Sequence, residues 1–160
     1  MPGENSLLPQ YYNDDFQVIT LSYPAAQIHD PTPVLYADRD LIVDEIVVGV
    51  HTAVAAAATF NFEVSTDCQA QTGTSMCTIN VNTAGSVASG DTIVATTDSV
   101  LRYNSSGVLQ TTATGSTAIN GVTAGVQSNL IPKGSWLLID PDTATGARAA
   151  IQIRFRSRLK

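Results

Sequence analysis

Ala149-Ala150-Ile151-Gln152-Ile153-Arg154-Phe155-Arg156-Ser157-Arg158-Leu159-Lys160 is the stretch whose reading decides the fold. Ile151, Ile153, Phe155 and Leu159 alternate with Gln152, Arg154, Arg156, Arg158 and Lys160. A period of two belongs to a strand, with the odd positions toward a core and the even positions carrying a row of cations on the opposite face. That row stands at the end of an otherwise acidic sequence. Five of the eight Lys and Arg residues fall between Arg148 and Lys160, while residues 1–67 hold ten of the fourteen acids and a single base, Arg39. Charge distributed so unevenly predicts a surface that meets something, either another copy of the chain or an acidic partner.

Working outward, the same period recurs. Residues 41–51 form the richest β-branched run, with Ile46, Val48 and Val50 pointing one way and Val47, Gly49 and His51 the other. Phe60, Phe62 and Val64 alternate with Asn61, Glu63 and Ser65 over residues 59–66. Further strands are expected at 16–22, 34–37, 78–81, 91–96, 108–111, 118–122, 135–140 and 148–159. Prolines at 24, 31 and 33 force irregular connections, because each lacks a donor and biases its predecessor away from helix. Ala55 to Ala58 is helix material only a turn or two long, so residues 52–58 are read as a loop with a possible helical turn. Ile131-Pro132-Lys133-Gly134 has the Pro and Gly placement of a type I turn. About eight to ten short strands with regular turn signals predict an all-β chain, a jelly-roll or Greek-key β-sandwich. Residues 1–15 lack any period and are expected to form an extended N-terminal arm, leaving 16–160 as a single sandwich domain.

Composition sets further bounds. A chain of 160 residues buries roughly 70% of its unfolded surface on folding, so neither metals nor disulfides are needed. The net charge of -6 argues against general nucleic-acid affinity, which requires a broad surplus of Lys and Arg. No apolar run is long enough to span a membrane, and the first residues lack the basic start and apolar core of a secretion signal. The expectation is a soluble protein made in the cytoplasm, without membrane contact. Cys68 and Cys77 flank a hairpin loop where facing strands can bring them together, but a cytosolic origin favours free thiols.

Residues capable of chemistry do not converge. His29 and His51 are the only histidines, and no Gly-x-Ser-x-Gly elbow accompanies them. His51 is expected at a strand end, bonded to backbone. Carboxylates gather at Asp38, Asp40, Asp44 and Glu45 and again at Asp140 and Asp142, but neither group follows a calcium-loop spacing, so both are read as solvated turns. Neither catalytic residues, a metal site nor a cofactor is expected. Tyr11 and Tyr12, with Leu7 and Leu8, are the arm's candidate anchors in a partner's groove. Arg154, Arg156 and Arg158 are candidate interface residues that can pair with acids such as Asp38, Asp40 or Asp44 of a neighbouring copy, ahead of edge protection and nucleic-acid binding.

Three pieces of sequence also occur together elsewhere. The Val34 to Ile46 segment, the Leu-Ile-Pro-Lys-Gly-Ser-Trp-Leu-Leu-Ile-Asp segment at 130–140 and the strand at 147–156 together resemble the small jelly-roll decoration, or cement, proteins on the heads of tailed bacteriophages. The resemblance covers roughly residues 34–156 and rests on strand order and a proline-glycine turn, with no catalytic signature. It implies a non-enzymatic homotrimer on the capsid exterior of a virion, clipping major capsid subunits together, without a cofactor. The alternative is a fibre, baseplate or glycan-binding β-sandwich module, which exposed aromatics along a groove would favour. Trp136, beside Leu137 and Leu138, is instead expected in the core. A hydrolase on the same scaffold is disfavoured by the absence of a paired His or carboxylate motif.

Overall fold

The computed structural model describes residues 17–23, 31–53, 58–70, 73–82, 87–110, 115–119, 129–142 and 148–157. Its strands are β1 (Gln17–Tyr23), β2 (Thr32–Tyr36), β3 (Leu41–Thr52), β4 (Thr59–Ser65), β5 (Thr74–Asn80), β6 (Thr92–Thr96), β7 (Val100–Tyr103), β8 (Leu130–Ile131), β9 (Trp136–Asp142) and β10 (Arg148–Ser157). There is no helix among the described residues. The larger sheet has the order β1-β10-β3-β6-β7, with the short β8 also against β3, and the smaller has the order β2-β9-β4-β5. Every pairing is antiparallel.

The pairing is nested. β1 pairs with β10, β2 with β9, β3 with β6 and β8, and β4 with β5. A chain paired in this way is one long hairpin rolled over on itself, and it passes from sheet to sheet as it proceeds: this is the jelly roll. The sheets meet through alternate residues. β3 contributes Ile46, Val48 and Val50, β6 contributes Ile93 and Ala95, and β10 contributes Ile151, Ile153 and Phe155. The facing sheet contributes Phe60 and Phe62, Ile79, Leu137 and Ile139, all nearly or wholly buried. Fully burying each large side chain stabilises by about 1.5–3 kcal/mol, so the alternation alone holds the two layers together.

Where the expected strands differ from those observed, prolines and polar residues are the reason. β2 begins at Thr32 and includes Pro33 because it is an edge strand of the smaller sheet, where a missing donor breaks no ladder. β9 runs through Pro141 to Asp142 because β2 ends its pairing opposite Ile139, leaving Pro141 with one neighbour, Phe60 of β4. β5 begins four residues early, at Thr74, and accommodates Met76 as the extra residue between Ser75 and Cys77 in its register with β4. Of the strand expected at 108–111, residues 108–110 are described, and there Leu109 forms a single bridge to Tyr103. Ala118 and Ile119 form no strand. Instead the Ile119 N–H donates to Thr96 O (2.9 Å) and the Thr117 N–H to Thr78 O (2.8 Å), while the Ser116 Oγ accepts from Asn80 N (2.9 Å). This short segment shields the edge of β5 and ties it to β6 across the sandwich. The possible helical turn before Ala58 and the arm at 1–15 lie outside the described residues.

β7 escaped the sequence reading because one of its two inward positions, beside Val100, is an arginine. Arg102 pairs with Ile93 on the core side of β6, and its guanidinium meets Asp91 (Nη1–Oδ2 3.6 Å) with both side chains under a tenth exposed. Asp91 Oδ2 also accepts from Ala88 N (2.9 Å), whereas Arg102 Nε has no partner among the described residues. Removing one member of such a pair strands the other. Asp91→Ala is therefore expected to lower the unfolding free energy by about 3–5 kcal/mol. Arg156→Ser, which breaks a surface pair with Asp44, is expected to cost at most about 1 kcal/mol. Chemical denaturation of both variants measures the contrast.

Cys68 and Cys77 are free. Cys68 lies exposed in the turn after β4, while Cys77 faces the core opposite Phe62, and its burial pushes the thiol pKa up. Only the thiolate reacts. A disulfide-exchange reagent at pH 8 is expected to label one thiol per native chain and the second only in denaturant; two fast thiols in the native protein would contradict the burial of Cys77.

Candidate interaction surface

The arginine row on β10 is met by acids of its own chain. β3 and β10 keep register from Val48–Ile151 down to Glu45–Arg154, then skip one residue so that Phe155 faces Val43. Asp44 is the extra residue, and this bulge turns Asp44 and Glu45 together toward the arginines. Arg156 Nε donates to Asp44 Oδ2 at 3.0 Å, and Arg154 lies directly opposite Glu45. The row is thus a compensated ionic rim, with Arg156 satisfied within the chain. Asp38 and Asp40, the other acids proposed as partners, are engaged in cis as well. Asp38 accepts from Arg39 Nε (3.0 Å), a hydrogen bond that lowers the Asp38 carboxyl pKa and raises that of Arg39, and Asp40 Oδ1 accepts from Lys133 N (2.9 Å).

Beyond that rim the outer face of the larger sheet changes character. Gln152, Val47, Val94 and Leu101 form one cross-strand row, and Ala150, Gly49, Thr92, Tyr103 and Leu109 the next. Neither row carries a charge. Val47, Val94 and Leu101 are half-buried, while Val108 and Leu109 are 56% and 54% exposed. An apolar band across three strands, rimmed by ion pairs, has the anatomy of a protein interface, with an apolar centre and a polar margin.

Residues of the segments 34–46, 130–140 and 148–156 come together at one end of the sandwich. β8 pairs with the start of β3 (Leu41 with Ile131), β9 pairs with β2 (Tyr36 with Trp136), and Arg156 of β10 lies opposite Ile42. Two turns lock there: Gly134 N donates to Ala37 O (2.7 Å) and Ala37 N donates to Ser135 O (2.9 Å). The turn itself falls one residue later than expected. Ser135 N donates to Pro132 O, and Gly134 occupies its third position at φ 84°, a left-handed conformation that the type I reading did not provide. Together these segments build one corner of the fold.

At that corner Trp136 is not in the core. Leu137 and Ile139 take the inward positions, so Trp136 emerges on the outer face, half-buried, against Tyr36 with ring centroids 4.9 Å apart. Tyr36 is 50% exposed. Beside the pair a cleft of about 430 Å³ opens between the end of β4, the start of β5 and the turn before β9. The alternation rule held, but the sequence reading placed Trp136 on the wrong side of it: with Leu137 and Leu138 both apolar, the local pattern does not reveal which face is inside.

His51 is exposed at the end of β3, and its Nδ1 lies 3.0 Å from the Thr52 hydroxyl rather than bonding backbone as expected. No group of three or more His, Cys, Asp or Glu among the described residues is placed to hold a metal ion. Leu7, Leu8, Tyr11, Tyr12, His29 and Arg158 lie outside the described residues. Comparison with known proteins finds no matching family model, no matching curated protein and no matching solved structure.

Proposed function

We propose that the chain is a structural virion protein, a capsid decoration protein that binds the outside of a phage head as a homotrimer and stabilises it. The observation that carries this reading is the uncharged apolar band of Val47, Val94, Leu101, Tyr103 and Leu109 on the outer face of a complete jelly roll. The resemblance of three sequence pieces to phage cement proteins supports it independently. Docking of that band on the major capsid protein removes apolar area from water, and the ionic rim of Arg154, Arg156, Asp44 and Glu45 fixes its orientation. Three linked copies bind with a high effective concentration, so modest contacts per copy suffice. Leu7, Leu8, Tyr11, Tyr12 and Arg158 supply further contacts to the shell or a neighbour. The protein performs no reaction in this role and needs no cofactor.

Purified protein mixed with expanded empty heads of the same virus is expected to pellet with saturable, stoichiometric occupancy. Leu101→Asp, an outward substitution that leaves the core untouched, is expected to weaken that binding about tenfold or more, the loss typical of a central interface residue. No saturable binding by the native protein would overturn the proposal. Light scattering is expected to give the mass of three chains, and a monomer at micromolar concentration would remove the trimer.

A further inference from the structure

The corner that holds Tyr36 and Trp136 has a second, independent reading. It lies on the outer face of the smaller sheet, on the opposite side of the sandwich from the apolar band, and Tyr36 there is 50% exposed. Tyr36, Trp136 and Ser65 are direct cross-strand neighbours on β2, β9 and β4. The adjoining cleft is not lined by either ring but meets the pair at Ser65; it is lined by the hydroxyl-bearing Ser65, Thr66, Thr74 and the buried Ser135, with Val64 and Pro132 as its apolar surface. Its volume of about 430 Å³ falls within the range of small-molecule sites, about 300–1,000 Å³.

The wall of this cleft is held from beneath. Glu63, 9% exposed on the same face as Ser65, accepts a hydrogen bond from Gly73 N through Oε2 at 2.6 Å. Gly73 lines the cleft, and any Cβ there would sit 2.8 Å from Val64 O, so only glycine lets the start of β5 approach β4 so closely. Glu63 is thus a positioning residue for the wall. No lining side chain among the described residues is charged.

We infer that the Tyr36–Trp136 pair and its cleft bind a neutral saccharide. A pyranose ring has an apolar face of C–H groups and a periphery of hydroxyls. The aromatic pair matches the first, and the Ser and Thr hydroxyls match the second, each able to donate and accept. An anionic ligand would find no basic side chain among the described lining residues and a chain of net charge -6 around it.

Trp136 is the chain's single tryptophan, so intrinsic fluorescence reports this corner alone. The isolated full chain is titrated with glucose, galactose, N-acetylglucosamine and maltose, with sialic acid as the charged control, and is passed over immobilised neutral polysaccharide to separate free-sugar from polymer binding. A saturable fluorescence change in the millimolar range with at least one neutral sugar is expected. Tyr36→Ala is expected to weaken it at least tenfold, and Tyr36→Phe to preserve it. Thr74→Val, on an exposed side chain, is expected to weaken it severalfold with an unchanged melting curve, which keeps the test valid should Tyr36→Ala fail to fold. No saturable response to any neutral sugar, a response to sialic acid alone, or equal binding by folded Tyr36→Ala would overturn the inference. Shell binding is not involved in these measurements, so their failure and that of the decoration role are separable.

Discussion

Strand β10 bonds on both edges, to β1 on one side and to β3 on the other, and the rest of the structure depends on that double ladder. Its inward residues Ile151, Ile153 and Phe155 sit near the middle of the larger sheet, and its partners come from the first third of the chain. Contacts so distant in sequence are slow to form because the loop entropy must be met before they stabilise anything. Once made, they close the roll: β2 and β9 are brought into register immediately inside β1 and β10, and β4 and β5 inside those.

The same ladder explains why the arginine row does not behave as a free cationic stripe. One bulge at Asp44 is enough to bring two acids onto the face that Arg154 and Arg156 share. Charge is then balanced locally, and the sheet's outer face is left with an ionic margin and an uncharged centre. A surface of that kind favours a protein partner over a polyanion, since affinity for phosphates depends on excess cation and falls as acids neutralise it. The smaller sheet is its chemical opposite at one corner, presenting aromatic rings and hydroxyls. A sandwich can present such different faces because its two outer surfaces share a core yet make no contact with each other.

Much of this was legible in local sequence. The alternation in 41–51, 59–66 and 148–159 located β3, β4 and β10 to within a residue or two, because a strand buried on one face must repeat every second residue. β7 was not legible, since Arg102 occupies an inward position that is acceptable only because Asp91, eleven residues earlier, is folded against it. Nor was β8, whose two residues become a strand only by lying along Leu41 and Ile42. The apolar band was equally hidden, because Val47, Val94, Leu101 and Leu109 belong to separate segments and become a surface only when β3, β6, β7 and the Leu109 bridge lie side by side.

By itself, then, the sequence determined the all-β class and which residues of a strand share a face, because these follow from side-chain period. Tertiary structure alone decided which faces are outside. Leu137 and Leu138 are equally apolar and both wholly buried, yet only Leu137 belongs to the central core, and this places Trp136 at the surface. The physical reason is that a strand's period fixes which residues share a face, whereas the direction of that face is set by the layer packed against it.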